Sequence, residues 1–191
     1  MADARVAEVP LNKSYRLLNH GPTVLVTTTD GIRRNVMAAA WSMAVDFDPP
    51  KISIVIDRPT LTRELIDATG RFGLTIPPAG AVDITNAVGQ ISGREVDKFA
   101  RWGIKVLPDA PDVPPRLALG IAWLDCRVIA ETDVQQRHDM FVAHVTAAWA
   151  DPQVFREGHW IDGPESLRTI HHIAGGNFFA AGPLLRAKEP E

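Results

Sequence analysis

The sequence predicts a mainly β fold in which short strands curl into a barrel, with a few short helices inserted between them. Short runs rich in β-branched and apolar residues recur along the chain, and turn signals separate them. The 15 prolines and 14 glycines cut the chain into pieces that suit strands better than a helix bundle. Strands and helices do not alternate regularly, so a doubly wound parallel sheet is not expected.

The strands are predicted from apolar runs and the turns that bound them. Residues 1–14 are expected to form an N-terminal arm, and the Asp30-Gly31 turn predicts a hairpin. Three consecutive alanines, 38–40, leave a helix as the alternative for part of the second strand. The predicted strands are 23–29, 33–43, 51–57, 72–76, 121–131 and 141–150.

Helices are predicted where capping residues precede a periodic apolar pattern. Thr62 is the expected N-cap of a helix over 63–69, with Gly70 at its C-terminal end. Residues 166–173 are expected to be a short helix or an irregular segment, and Gly175-Gly176 breaks the chain before the tail. The other predicted helices are 82–92 and 95–102, and the proline-rich segment 107–116 is a predicted loop.

Composition narrows the classes of function. The 191 residues are expected to form a single domain, 1–191, and the net charge of -3 argues against a general nucleic-acid or membrane-surface binder. The N-terminus does not resemble a signal peptide, and no apolar run reaches the ~20 residues that span a bilayer. The single cysteine, Cys126, allows no intrachain disulfide, which suits a cytoplasmic location.

Other motif classes find no support in the sequence. There is no GxGxxG, P-loop, CxxC, HExxH or GxSxG pattern. The adjacent pair His171-His172 would point apart on a strand and has no evident third ligand, so no metal site is expected.

The stretch from Asn35 to Thr62 carries the main functional hypothesis. Its small residues let a flat ligand approach the backbone closely, and an apolar strand follows them. Arg58, Thr60 and Thr62 come just before a predicted helix N-terminus, where a guanidinium and hydroxyl groups can hold a phosphate. The stretch is therefore predicted to make most of a flavin mononucleotide (FMN) site.

The motifs of the chain, in their order and spacing, resemble the flavin reductase-like proteins with an FMN-binding split barrel, including the flavoredoxin type. The resemblance extends over most of the chain. The segments that carry it are VLVTT with the Asp30-Gly31 turn, NVMAAAWS, the Asp48-Pro49-Pro50 corner, ISIVI, the cluster 58–62, ELIDATG, the strand beginning at Phe72, VDKF, WLDCRV, HDMFVAHV and Gly175-Gly176.

The resemblance implies a six-stranded antiparallel split β-barrel that acts as a homodimer, with one FMN per subunit near the interface. It implies that NADH or NADPH reduces FMN, which passes electrons to free flavin, a partner monooxygenase or another electron carrier. In this family the nicotinamide binds without a dinucleotide fold, so the missing GxGxxG does not count against it.

The resemblance also assigns roles to individual residues. His138 matches a histidine on the nicotinamide side, although Gln136-Arg137 precedes it here instead of Gly-Asp. Lys98 and Phe99 lie in the matching DKF segment near the flavin, and Arg58, Thr60 and Thr62 would bind its phosphate. The residues implied to line the isoalloxazine ring and ribityl chain are Asn35, Val36, Met37, Ala38, Ala39, Ala40, Trp41 and Ser42.

Three classes of function remain open at this stage. The favoured one is an NAD(P)H-dependent flavin reductase. The altered residues before His138 keep an FMN-binding electron carrier without direct nicotinamide use as the alternative. The third class is a non-enzymatic barrel that has lost flavin, against which the intact cluster 58–62 argues. Structural roles also compete at single positions: packing for Trp41, and solvated surface positions for Arg58, Lys98 and His138.

Overall fold

A computed structural model of the protein describes residues 6–110 and 112–188. Part of the predicted N-terminal arm, 1–5, lies outside the described residues. The strands are β1 (Ala7–Glu8), β2 (Val24–Thr29), β3 (Arg34–Ala39), β4 (Ser42–Phe47), β5 (Pro50–Val55), β6 (Arg71–Ile76), β7 (Ala122–Ile129), β8 (Met140–Ala150), β9 (Phe155–Arg156), β10 (His159–Trp160), β11 (Ile170–Ala174) and β12 (Asn177–Ala180). The helices are α1 (Leu11–Ser14), α2 (Leu61–Thr69), α3 (Val82–Gln90), α4 (Lys98–Arg101) and α5 (Thr132–His138).

The main sheet is antiparallel and has the strand order β3-β2-β6-β7-β8-β5-β4, with β1 added beside β8. The predicted fold class, a mainly β antiparallel split barrel with a few short helices, is confirmed. Strands β11 and β12 form a separate hairpin, and so do β9 and β10. No helix in the described ranges is long and apolar enough to cross a membrane.

The predicted second strand, 33–43, is wrong as a single element. The chain pairs with β2 as far as Ala39, leaves it at Ala40 and Trp41, and then pairs with β5 from Ser42 onward. The backbone N–H of Val55 donates to the carbonyl of Trp41 at 3.0 Å, which fixes the crossing point. This change of partner separates the two edges of the sheet and opens a space beside Ala40.

Two apolar cores hold the barrel. The larger lies inside the sheet and includes Phe72 and Phe141. The smaller lies outside β2 and β3, where Val88 of α3 and Phe99 of α4 pack against Leu25 and Val36. Strand β2 is buried along its whole length because it has the barrel interior on one face and these helices on the other. This explains why its sequence does not alternate between apolar and polar residues.

Helix α2 begins two residues before its predicted start. Its N-cap is Thr60, whose hydroxyl oxygen accepts from the N–H of Arg63 at 3.1 Å, so the prediction of Thr62 as N-cap is wrong. Thr62 is fully buried in the first turn of the helix. Gly70 ends the helix in a left-handed conformation with φ of 65°, as predicted.

Three further elements differ from their predictions. The helix predicted over 95–102 is reduced to α4, because Asp97 caps it by accepting from the N–H groups of Phe99 and Ala100. Helix α5 was not predicted, because its residues were assigned to neither a helix nor a strand. Residues 166–173 begin with a 3₁₀ turn but continue as β11, and the tail returns as β12.

Candidate functional site

An open pocket of ≈ 300 Å³ lies between the end of β3, helix α3 and the β11–β12 hairpin. Three of the residues predicted to contact flavin, Ala38, Ala39 and Ala40, form its β3 wall. Its remaining lining residues are Thr23, Thr85, Asn86, Gly89, Gln90, His172, Gly175, Gly176 and Phe178. Small side chains on one wall and amide side chains on the other suit a flat, polar-edged ligand.

The hairpin wall depends on its two glycines. Gly175 and Gly176 have φ of 56° and 80°, so both adopt the left-handed conformation of a tight two-residue turn. The turn brings His172 and Phe178 opposite each other, with ring centroids 5.1 Å apart. Gly175-Gly176 was predicted to break the chain before the tail, although two adjacent glycines are also a hairpin signal.

Lys98 connects β3 and α3, two elements that line the pocket, through hydrogen bonds. Its side chain is buried, and its ammonium donates to the carbonyl of Val36 on β3 at 2.9 Å and to that of Val88 on α3 at 2.7 Å. Burial lowers the pKa of Lys98 to about 8, while the two carbonyl acceptors favour its charged form. Lys98 is therefore not a solvated surface residue, and its ammonium is engaged by the backbone of the predicted flavin segment.

Asn35 and Thr62, both predicted site residues, form a buried pair. The Asn35 amide donates to the Thr62 hydroxyl at 2.9 Å, and both side chains are almost inaccessible to solvent. Gly93 packs so closely on Asn35 that a Cβ there would lie 2.1 Å from the Asn35 amide oxygen. The pair joins the start of β3 to the first turn of α2, so it fixes the position of the cluster 58–62 relative to the alanine wall.

Arg58 belongs to a charged cluster beside the helix. Its Nε donates to Asp139 at 2.9 Å, and Arg63 donates to the same carboxylate oxygen at 3.0 Å. Partial desolvation would raise the pKa of Asp139, but the hydrogen bonds from Arg58 and Arg63 outweigh it and lower that pKa. His138 precedes Asp139 at the end of α5 and is exposed. The structure thus places Arg58 and Arg63 on Asp139, next to His138 in the chain, and none of these residues lines the pocket.

Ser42 and Trp41 lie where the chain passes from β3 to β4. The Ser42 hydroxyl oxygen is buried and has no hydrogen-bond partner within the described structure. Neither Ser42 nor Trp41 lines the pocket. Trp41 is 74% exposed, so it does not pack in the core, and its packing at an interface stays a prediction. A buried hydroxyl without a partner is costly unless a ligand supplies one.

The other predicted residues near the site are held in the cores. Val36 and Phe99 belong to the smaller core, and the Arg34 guanidinium lies 4.2 Å from the centroid of the Phe99 ring. Met37 packs against the larger core. The side chains of Val36, Met37 and Phe99 do not line the pocket. A contact with flavin at these positions would therefore be made by the backbone or would require the side chains to rearrange.

The residues of α3 and of the β11–β12 hairpin were not predicted as site residues. Gly89 was the sequence signal that could have indicated a role for α3 in the site, because a glycine inside a helix is unfavourable unless a neighbour approaches closely. A Cβ at Gly89 would lie 3.3 Å from the Ala38 Cβ, so the glycine keeps room on the pocket side of α3.

Comparisons with known proteins identify the family of this chain. The model of the flavin reductase like domain matches residues 16–169. A protein of Escherichia coli, the uncharacterized protein YddH, is 43% identical over 187 residues, which are 96% of this chain and 99% of that protein. The crystal structure of an FMN-binding domain of a flavin reductases-like enzyme from Shewanella baltica has a TM-score of 0.94 and 42% identity, covering 98% of this chain and 100% of that one.

A more distant structure shares the fold. Flavoredoxin of Desulfovibrio vulgaris has a TM-score of 0.75 at 24% identity, covering 87% of this chain and 90% of that one. The fold and pocket together define a split-barrel protein built to hold a flat cofactor. The chain belongs to the family of flavin reductase-like domains.

The residues present fit an FMN group. The alanine wall admits a flat ring system, and the unpartnered Ser42 hydroxyl, two residues beyond Ala40 and outside the pocket lining, is a hydrogen-bonding group that the protein itself leaves unused. Arg58 uses only its Nε on Asp139 within the described residues, which leaves its terminal amino groups for an anion.

We expect Thr62→Val to destabilise the protein by about 1–3 kcal/mol, because the buried Asn35 amide would lose its acceptor. Urea unfolding measures the change in free energy. Thr62→Ser, which keeps the hydroxyl, is the matched control and should lose much less. No loss in Thr62→Val, with a loss in Thr62→Ser, would show that the methyl group, and not the hydrogen bond, stabilises this site.

Proposed function

We propose that the protein is an FMN-binding oxidoreductase, an NAD(P)H-dependent flavin reductase that passes electrons from a reduced nicotinamide through FMN to free flavin or a partner oxygenase. The observation that carries the proposal is the pocket itself: in a member of the flavin reductase-like family, Ala38–Ala40 form a small-residue wall, and Ser42, just beyond that wall and outside the pocket lining, has an unused buried hydroxyl. A cytoplasmic location belongs to the same proposal.

The chain would hold the cofactor mainly through its backbone. Ala38, Ala39 and Ala40 would face the ring, and Ser42 would donate or accept one hydrogen bond. The chemistry that FMN supplies when bound is acceptance of a hydride equivalent and delivery of its electrons to an acceptor. The protein contributes orientation and exclusion of water, for which no acid or base residue is required.

The phosphate end of the site would depend chiefly on Arg58. The hydroxyl of Thr60 already donates to the carbonyl of Asp57 and caps α2, and the hydroxyl of Thr62 accepts from Asn35. Arg58 is 59% exposed along its side chain and keeps free N–H groups. The two threonines would then shape the helix N-terminus, whose N–H groups attract anions.

An FMN-binding electron carrier without direct nicotinamide use is the second candidate. His138 lies at the exposed end of α5, outside the pocket lining, and Gln136-Arg137 precedes it. A nicotinamide contact by His138 would therefore require the donor to approach from the Asp139 side of the site.

Anaerobic stopped-flow absorbance separates the two candidates. The FMN-loaded protein is mixed with NADH and, separately, with NADPH. Rapid loss of the oxidised-flavin absorbance with one of them is expected for a reductase and identifies the donor. Retained absorbance with FMN still bound would reject the reductase in favour of the carrier, and a protein that retains no FMN would reject both.

We also propose that the protein is a homodimer that associates through β4. Four large apolar side chains on and next to this edge strand are 50% or more exposed, namely Trp41, Met43, Val45 and Phe47. The residues between them, Ser42, Ala44 and Asp46, are half-buried. An edge strand with an apolar exposed row is unfavourable in an isolated subunit and suits a partner surface.

Val45→Asp should shift the protein from dimer to monomer, because a carboxylate in a buried apolar interface is strongly unfavourable. Light scattering measures the mass. Ile32→Asp is the control, since Ile32 is 96% exposed in the β2–β3 turn and should leave the dimer intact. A wild-type protein that is monomeric and still binds FMN would contradict the proposed assembly.

A further inference from the structure

Two arginines face each other on the outside of the barrel. Arg71 of β6 and Arg127 of β7 are direct partners in the antiparallel register. The neighbouring pair, Phe72 and Cys126, is buried in the core, so the two arginines point to the opposite, outer face. Like charges directly opposite each other on adjacent strands repel and destabilise the pairing.

Ion pairs within the described residues do little to neutralise these two positive charges. The ion pair of Arg71 is with Asp112, at 4.0 Å and between two well-exposed side chains, so solvent screens it. The side chain of Arg127 has no hydrogen bond or ion pair to any residue of the described ranges. His144, which lies opposite Arg127 on β8, adds no acidic group to this row.

A second pocket, of ≈ 250 Å³, opens beside the arginines. It is lined by Arg71, Arg127, Asp125 and Thr146, together with Val113 and Pro114 of the loop that crosses above the sheet and Phe72 and Cys126 beneath. Gly73 makes room for that loop, since a Cβ there would lie 3.3 Å from Pro114. None of these residues lines the pocket beside Ala38–Ala40.

Asp125 supplies the polar group that gives this pocket its selectivity. It lies two residues before Arg127 on β7, so its side chain is on the same face. Its Oδ1 is buried and has no hydrogen-bond partner in the described structure. Arg116 attracts the carboxylate, but its own two hydrogen bonds go to Asp109. Burial raises the pKa of Asp125 to about 6, so at pH 7 the group is mainly a carboxylate that lacks a donor.

We propose that this pocket binds a small oxyanion that carries its own O–H group, of which hydrogen phosphate is the simplest. The two guanidinium groups would bind the negative oxygens, and the O–H would donate to the unpartnered oxygen of Asp125. This site goes beyond the proposed flavin chemistry and does not depend on it. Its selectivity follows from hydrogen bonding: a fully deprotonated oxyanion has no proton to donate to Asp125, so its approach to that carboxylate is repulsive and uncompensated.

Phosphate and sulfate test this selectivity because they share shape and size, while at pH 7 phosphate alone retains an O–H. Isothermal titration of the FMN-loaded protein with each salt, at matched ionic strength, measures the two affinities. We expect phosphate to bind at least about tenfold more tightly than sulfate. Equal affinities, or binding of neither ion, would overturn the proposal.

Matched variants assign the site. Arg127→Gln should weaken phosphate binding about tenfold or more, whereas Arg137→Gln, on the exposed end of α5, should leave it unchanged. Asp125→Asn replaces the acceptor by an amide that can donate, so it should strengthen sulfate binding and abolish the preference for phosphate. Circular dichroism confirms that each variant is folded. Phosphate binding that survives Arg127→Gln, or a preference that survives Asp125→Asn, would place the ion elsewhere.

Discussion

The buried ammonium group of Lys98 holds the candidate flavin site in shape. It donates to one carbonyl of β3 and one of α3, the two elements that form opposite walls of the pocket. A buried charge is tolerated when it is well hydrogen-bonded, and the two carbonyl acceptors provide this. The alanine wall and the α3 wall are therefore fixed by the protein before any ligand is present, which reduces the cost of ordering the site on binding.

The change of strand partners at Ala40 and Trp41 explains most other features of the site. Because β3 pairs with β2 and β4 pairs with β5, the chain at Ala40 borders the open pocket and not another strand. Ser42 is left there with an unpartnered hydroxyl, and β4 is left as an edge with an exposed apolar row. One topological event thus produces both the proposed cofactor contact and the proposed dimer surface.

Local sequence signals predicted the elements whose ends depend on nearby residues. Asp30-Gly31 marks the β2–β3 hairpin and Gly70 ends α2 because each provides backbone geometry that few other residues allow. The N-cap of α2 was misplaced because Thr60 and Thr62 are equally good capping residues. The choice depends on Asn35 of β3, whose amide donates to the Thr62 hydroxyl. A contact between residues this far apart in sequence cannot be predicted from the local pattern.

The pocket could be predicted only in part for the same reason. Its β3 wall lies within one short stretch and was predicted from small residues and family resemblance. Its other walls come from α3 and from the β11–β12 hairpin, which the fold brings in from distant parts of the chain. Helix α5 was missed because TDVQQRH has no apolar stripe, although Asp133 in its first turn and Arg137 in its last suit a helix.

The measurement that tests the central claim most directly is FMN affinity and apo-protein stability in Ser42→Ala. Removing an unused buried hydroxyl should raise the free energy of unfolding of the apo protein by about 1 kcal/mol and weaken FMN binding roughly tenfold. Thr28→Val is the control, because the Thr28 hydroxyl is also buried without a partner but lies on β2, outside the segment Ala38–Ser42. It should gain stability and bind FMN as the wild type does. Unchanged FMN affinity in Ser42→Ala would contradict a flavin site at this segment.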